Sequence, residues 1–417
     1  MKWWFRRPLY LQIFICIFLG IILGLVLGPK AAAIKPLGDI FIRLLKMLIV
    51  PLTFFTLISG MTKLEDLRSF RSLGGMIILY YGLTSLIAAA LGTITALVVK
   101  PGQGAAGLLA LGEEIQVQAT DFNLIDNLVS WFPDNPIKAM TEGHMLQIIV
   151  FAIIVGLGLL AMGGKARSLV KFFNDGAELM ITITEFVMKT APYGILALVA
   201  NMVATLGTDM LAEVGRFLVA DYVTLLLLLV VFYPGLLLLL GKLAPLRFYR
   251  NIAPAMLVAG STTSSSATLP VSMAVADDNL GVPEKVWGFT LPLGATINMN
   301  GMAAAIGVIA VFASHLYDVP LTPALLFQFI FLGLALSIGT AGIKGGGIVM
   351  SGVLLQTLNM PLTLIPLLAS LWPILDIGHT VCNVTGDLVG TSIVSSRLGI
   401  LDEKVFSGRN RASVNKD

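Results

Sequence analysis

One short stretch holds residues whose chemistry an apolar segment has no ordinary use for. Residues 371–389 read LWPILDIGHTVCNVTGDLV. Asp376, Thr380, Asn383 and Asp387 fall within about 60° of one another on a helix, and His379 sits beside them. Asp376 is an acceptor suited to an ammonium group. Thr380 and Asn383 can donate to a carboxylate, and Asp387 can supply a cation with a hard oxygen. His379 can carry a proton, donate to a ligand, or be a neutral ring held by Asp376. Two carboxylates on one stripe of a membrane helix are costly unless they line a cavity and act there.

Three other stretches supply polar groups at similar depth. Within 251–275 a polar run, Ser261 to Thr268, breaks two short apolar pieces, and Ser264, Ser265 and Ser266 can donate to a carboxylate. The free N–H groups of such a helix break favour anions as well. The string NMNG at 298–301 interrupts another apolar run, and SIGTAGIKGGG at 337–347 interrupts a third. One oxygen set for a cation gathers Asp387 with carbonyls near Gly294, Asn298 and Asn383. A second gathers Thr296, Thr340 and the carbonyls of Ser337 and Ile338. The glycines of 342–347 permit a tight turn that could serve as a lid, with Lys344 at its tip.

The elements that must position these residues are membrane helices. The chain has 417 residues, 57% of them hydrophobic and 12% charged, about half the charge of soluble domains. A net charge of +3 gives no reason to expect nucleic acid. Cys16 and Cys382 lie in different apolar runs and form neither a disulfide framework nor a metal motif. Spans are expected near 9–28, 39–60, 75–99, 145–163, 177–205, 215–241, 286–312 and 361–396, the first being an uncleaved helix rather than a signal peptide. Basic residues cluster before the first span and after the second, fourth, sixth and last. That pattern puts both termini in the cytoplasm. The stretches 251–275 and 323–358 do not span; they read as re-entrant hairpins entering from opposite faces, each followed by a span with a polar interruption, at 298–301 and 376–387. The fold expected is therefore an all-α polytopic membrane protein with eight transmembrane helices and two re-entrant hairpins of inverted-repeat character. Such interrupted pairs point to a midplane site in a secondary transporter. A different class, an intramembrane serine hydrolase built on Ser264–Ser266, His379 and Asp376, would need a nucleophile in reach of the histidine and an oxyanion hole.

These motifs resemble the glutamate transporter homologues, the dicarboxylate/amino acid:cation symporters, over nearly the whole chain. The matching strings are SSSATLPVSM (264–273), FTLPLGATINMNGM (289–302), SIGTAGIKGGG (337–347) and NVTGDLVGTSIV (383–394). The resemblance implies an inner-membrane homotrimer that imports an amino acid with Na+ or H+ by an elevator movement, using no cofactor beyond bound Na+. It implies a scaffold at 1–73 and 144–205, a transport domain at 74–100 and 206–417, and an extracellular connection at 101–143. It assigns Ser265, Thr380 and Asn383 to the substrate carboxylate and Asp376 to the amine, with Ser264, Ser266, Met302, Gly342, Ile343, Gly347 and His379 around them. It places one Na+ among Gly294, Asn298, Asn383 and Asp387, a second among Thr296, Ser337, Ile338 and Thr340, and part of a third among Tyr81, Thr84 and Ser85.

The departures from the family pattern bear on the substrate. NMDG is NMNG here, so Asn300 replaces a carboxylate and degrades the third cation site. Acidic-substrate members carry arginine where His379 stands, and imidazole cannot reproduce its bidentate grip. Met302 replaces a threonine that touches the same carboxylate, Thr263 and Ile377 occupy alternative arginine positions, and Lys344 replaces a proline. A neutral amino acid is the expected substrate. The alternative is glutamate, aspartate or a dicarboxylate, with Lys344 or His379 standing in for the arginine.

Overall fold

The structure, a computed structural model, describes residues 9–62, 71–105, 129, 131–206, 209–340 and 346–408. Every regular element among them is helical. In chain order the helices are α1 (Leu9–Leu27), α2 (Lys35–Thr62), α3 (Arg71–Val99), α4 (Pro136–Glu142), α5 (Met145–Met162), α6 (Arg167–Met188), α7 (Ala191–Leu206) and α8 (Asp209–Leu227). They continue as α9 (Pro245–Thr262), α10 (Ser265–Asp278), α11 (Glu284–Ile297), α12 (Asn300–Leu316), α13 (Pro323–Gly339), α14 (Gly346–Thr357), α15 (Ile365–Arg397) and α16 (Glu403–Phe406).

Among the described residues, six stretches are long and apolar enough to cross a bilayer: Leu11–Thr62, Gly74–Val99, Gln147–Met188, Ala212–Gly241, Glu284–Leu316 and Leu362–Arg397. The first and third, at 52 and 42 residues, each exceed the roughly 20 residues of a single crossing. Large apolar side chains stay exposed on α1 (Phe18, Leu25, Val26), α3 (Leu79, Leu83) and α8 (Val219, Leu226). Surfaces of that kind suit lipid or another helix rather than water.

Three breaks position the site. Between α9 and α10 the chain reverses through Thr263, whose φ of 49° is left-handed, and Ser264, which caps α10 by accepting from the Ala267 N–H at 3.3 Å. Serine competes for backbone donors in this way, which is why the polar run ends one helix and starts the next. Between α11 and α12 the chain leaves helical geometry at Asn298 and Met299, with ψ of 66° at both. Between α13 and α14 lie residues 341–345, so the expectations for Gly342, Ile343 and Lys344 fall outside the described residues.

Two expectations need correction. The run expected as one span at 177–205 is divided by a turn at Lys189–Thr190. Thr190 turns its hydroxyl back onto the Val187 carbonyl at 2.7 Å, and Pro192, lacking an N–H, favours a fresh helix start. The polar interruption expected at 376–387 is no interruption: α15 runs unbroken for 33 residues. Within it His379, Asn383 and Asp387 bond to groups of other elements, Asp221, the Gly301 N–H and Asn298, and make no demand on the ladder of their own helix.

α12 is the centre of the assembly. Its AAAIGVIAV run is buried on every side, and small side chains let α3, α13 and α15 approach it. α8 extends from Leu227 to Gly241 through two π-helical stretches, Leu228–Phe232 and Leu237–Gly241, on either side of Pro234. Wide turns of this kind often occur at functional sites, and here they turn Tyr233 into the core.

Candidate functional site

Residues flanking all three breaks meet α15 around one small cavity, with about 20 Å³ open to the centre of a water molecule. That is room for roughly one or two waters. Hairpin residues Thr263, Ser264 and Ser265 line one side, Thr340 and Gly347 another, and Met299 and Met302 a third. α15 contributes Trp372, Asp376, His379, Thr380 and Asn383. Of the residues expected around a substrate, the structure brings together Ser264, Ser265, Met302, Gly347, Asp376, His379, Thr380 and Asn383. Ser266 does not line this cavity and is exposed on α10. Thr340, expected in a cation set, lies on the cavity wall.

Local contacts orient these groups. Asn383 Oδ1 accepts the Gly301 N–H at 2.7 Å, which leaves its Nδ2 donors as the free end of the amide. Ser265 Oγ lies 3.9 Å from Met299 Sδ. Trp372 covers Gly347 so closely that a Cβ there would lie 1.7 Å from indole Cζ2, so only glycine fits beneath that ring.

Of the roles open to His379, the hydrogen-bonded ring is seen with a different acid from Asp376. Its Nε2 donates to Asp221 on α8, 3.0 Å from each carboxylate oxygen, and both side chains are almost wholly buried. Asp221 is a residue the sequence reading passed over. An acid in a span expected at 215–241 was the signal, since intramembrane acids are functional by default. Tyr222 beside it donates to the Ile374 carbonyl at 2.7 Å and ties α8 to α15 just ahead of the histidine.

A second polar cluster lies farther along α15. Asn298 Nδ2 donates to Asp387 Oδ1 at 2.8 Å, and Thr84 Oγ1 donates to Asn298 Oδ1 at 3.3 Å. Tyr81 donates to the Thr290 carbonyl at 2.8 Å. A Cβ on Gly294 would stand 2.5 Å from Asp387 Oδ1 and 2.6 Å from Tyr81 Oη, so its absence leaves a cradle beside the carboxylate. Asp387 is buried with only neutral hydrogen-bond partners in this cluster. Such a donor set fits a hard monovalent cation, since a buried carboxylate calls for a counter-charge.

The second expected cation set is less converged. Thr296, Ser337 and Thr340 each donate to carbonyls of their own helix, at 2.8, 2.8 and 2.7 Å. Ile338 lies against Gly60 of α2. In the expected third set, Ser85 Oγ donates to Asn300 Oδ1 at 2.9 Å, and Asn300 Nδ2 donates to Tyr233 Oη at 3.0 Å. Tyr233 in turn donates to the Cys382 carbonyl at 3.1 Å. Among the described residues no three His, Cys, Asp or Glu side chains gather as a metal cluster.

Comparisons with known proteins identify the family of the chain. The sequence profile of the sodium:dicarboxylate symporter family matches residues 9–397. The chain is 30% identical over 383 residues to a proton/sodium-glutamate symport protein of Geobacillus stearothermophilus, covering 90% of each chain. It is 29% identical over 397 residues to the human neutral amino acid transporter A, covering 86% of this chain and 74% of the relative. It is 28% identical over 406 residues to a C4-dicarboxylate transport protein of Pseudomonas fluorescens, covering 96% of this chain and 91% of the relative. These relatives are transporters and not enzymes, which removes the hydrolase reading. The three differ in the cargo their names declare, so identity alone leaves the cargo open. A helical membrane chain whose broken helices converge on one polar cavity, matched along nearly its whole length, belongs to the sodium:dicarboxylate symporter family.

Proposed function

We propose that this protein is a cation-coupled symporter of small neutral amino acids. The observation that carries the reading is the Asp221–His379 contact. Among the described residues, His379 is the one basic side chain on the cavity wall, and its charge, when present, is already matched by Asp221. A substrate ammonium finds Asp376. Its carboxylate finds Ser265, Thr380 and the Nδ2 of Asn383. A second, side-chain carboxylate would bring another negative charge to a cavity already flanked by Asp221 and Asp376, and such burial without a partner is costly.

Na+ is the coupling ion this reading favours, held by Asp387, Asn298 and carbonyls near Gly294, where its charge would offset the buried carboxylate. The remaining expectations belong to the same proposal. Eight spans and two hairpins account for the two over-long apolar stretches and for the short apolar helices Pro323–Ile338 and Gly346–Thr357. Both termini are then cytoplasmic. A homotrimeric scaffold of 1–73 and 144–205 would support a mobile domain of 74–100 and 206–417, with the α13–α14 hairpin as gate.

A thermal-shift screen of the purified protein tests the reading, because ligands of the folded state raise its melting temperature by mass action. Alanine, serine, asparagine, aspartate and succinate are compared in sodium chloride and in choline chloride. Neutral amino acids are expected to raise the melting temperature, and more so with sodium. A shift from succinate or aspartate alone would overturn the substrate class, and equal shifts in both salts would overturn sodium coupling.

A further inference from the structure

Two side chains that line the cavity each carry a buried nitrogen with no protein partner. One is His379 Nδ1 and the other is Trp372 Nε1. The rings that carry them are neighbours, with centroids 5.6 Å apart. Buried polar atoms are nearly always hydrogen-bonded, and each exception calls for an explanation. These two belong to side chains only 1% and 3% exposed, yet both border the same cavity.

Asp221 explains why one of them is left over. Because Nε2 donates to its carboxylate, the imidazole is held with that edge toward α8. Nδ1, at the other edge of the ring, is the nitrogen left without a protein partner. We propose that Asp221 is a positioning residue that fixes His379 as a reader of the substrate side chain, and that His379 Nδ1 with Trp372 Nε1 selects amino acids bearing a short hydroxyl or carboxamide group.

The chemistry of the two atoms narrows the class. Trp372 Nε1–H can only donate. His379 Nδ1 donates when protonated and accepts when not. A hydroxyl or a carboxamide can both accept and donate, so either one satisfies both nitrogens whatever the protonation of the ring. A methyl group satisfies neither. An ionised carboxylate can only accept, and it stands near Asp221 and Asp376 besides. The cavity is small, and Trp372 is seated on Gly347, so the side chain read here is short.

The inference rests on the amino-acid reading above, and the experiment separates the two. Binding of L-serine, L-alanine, L-asparagine and L-aspartate to the purified protein is measured in sodium chloride. The unaltered protein is expected to prefer serine over alanine, and asparagine over aspartate, by about tenfold, since a site with unpaired polar groups rejects analogues that cannot pair them. In Asp221→Val the serine-to-alanine ratio should fall to within about threefold. Asp221→Asn keeps an acceptor for Nε2–H and should retain the preference. A ratio near one in the unaltered protein, or an unchanged ratio in Asp221→Val, overturns the inference and leaves the amino-acid reading standing. Binding of none of the four overturns that reading itself. Should Asp221→Val not fold, the ratio in His379→Phe decides in its place: a retained serine preference refutes the role, and a lost one supports it.

Discussion

Asp387 and Asp221 are both buried carboxylates inside the helical bundle, and their surroundings differ in one respect. Asp387 bonds the neutral amide of Asn298, with a cradle at Gly294 beside it. Asp221 bonds the imidazole of His379, which can carry the opposite charge. A buried carboxylate with only amide donors is left uncompensated, so it calls for a cation or a proton from solution. One with a basic partner is compensated from within, so it orients that partner instead of recruiting an ion. The same residue type therefore does two kinds of work within one bundle, and the partner rather than the acid decides which.

The largest effect expected from this contrast is at Asp387. Asp387→Asn removes the charge the cation would answer, so substrate binding should lose its sodium dependence. The apparent sodium affinity should fall by about 100-fold, corresponding to the ~3 kcal/mol of a hydrogen bond or contact to a charged group. Titrating sodium chloride at fixed alanine, with choline chloride holding ionic strength, measures it. A sodium titration that overlays the unaltered protein's would break the contrast, because Asp387 would then be a structural acid.

The other carboxylate yields a smaller change, in selectivity. In His379→Arg one edge of the guanidinium can engage Asp221 while its remaining donors reach the cavity, since arginine carries five in a fixed fork. The ratio of aspartate to alanine affinity should rise by about tenfold. Competition binding with both amino acids reads it. An unmoved ratio would mean that position 379 does not face the substrate side chain.

How far the sequence discloses this arrangement follows from the kind of contact involved. The stripe of Asp376, Thr380, Asn383 and Asp387 is legible because helical spacing alone puts those residues on one face. The breaks at Thr263–Ser264 and Asn298–Met299 are legible because serine, threonine and asparagine compete for backbone hydrogen bonds. Asp221 and His379 are 158 residues apart, and no local pattern joins them. Tyr233 is hidden in the same way: its approach to Asn300 depends on the wide turns of α8 around Pro234. The supposed interruption at 376–387 misleads for a related reason. A polar side chain that finds its partner on another helix has no need to take one from its own backbone.

Asn300 offers the subtlest probe of the contrast, because it stands where the family pattern has a third acid. Its amide is used at both ends: Oδ1 accepts from Ser85, and Nδ2 donates to Tyr233, which passes its own proton to the Cys382 carbonyl. A carboxylate in this place has no N–H to give. Tyr233 would have to turn its hydroxyl toward the new acid and abandon Cys382, and the added charge would be buried near Asp387. By the rule drawn from the two existing acids, a carboxylate lacking a basic partner should recruit a cation. Asn300→Asp should therefore be less stable than the unaltered protein in choline chloride and recover in sodium chloride, with a steeper sodium dependence of alanine binding. The change is modest, a few degrees of melting temperature and an increase in the slope of the titration, because a polar network is exchanged for an ion rather than lost. If the slope stays the same and sodium restores no stability, the acid at 300 draws no cation, and a lone carboxylate in this bundle is then insufficient to make an ion site.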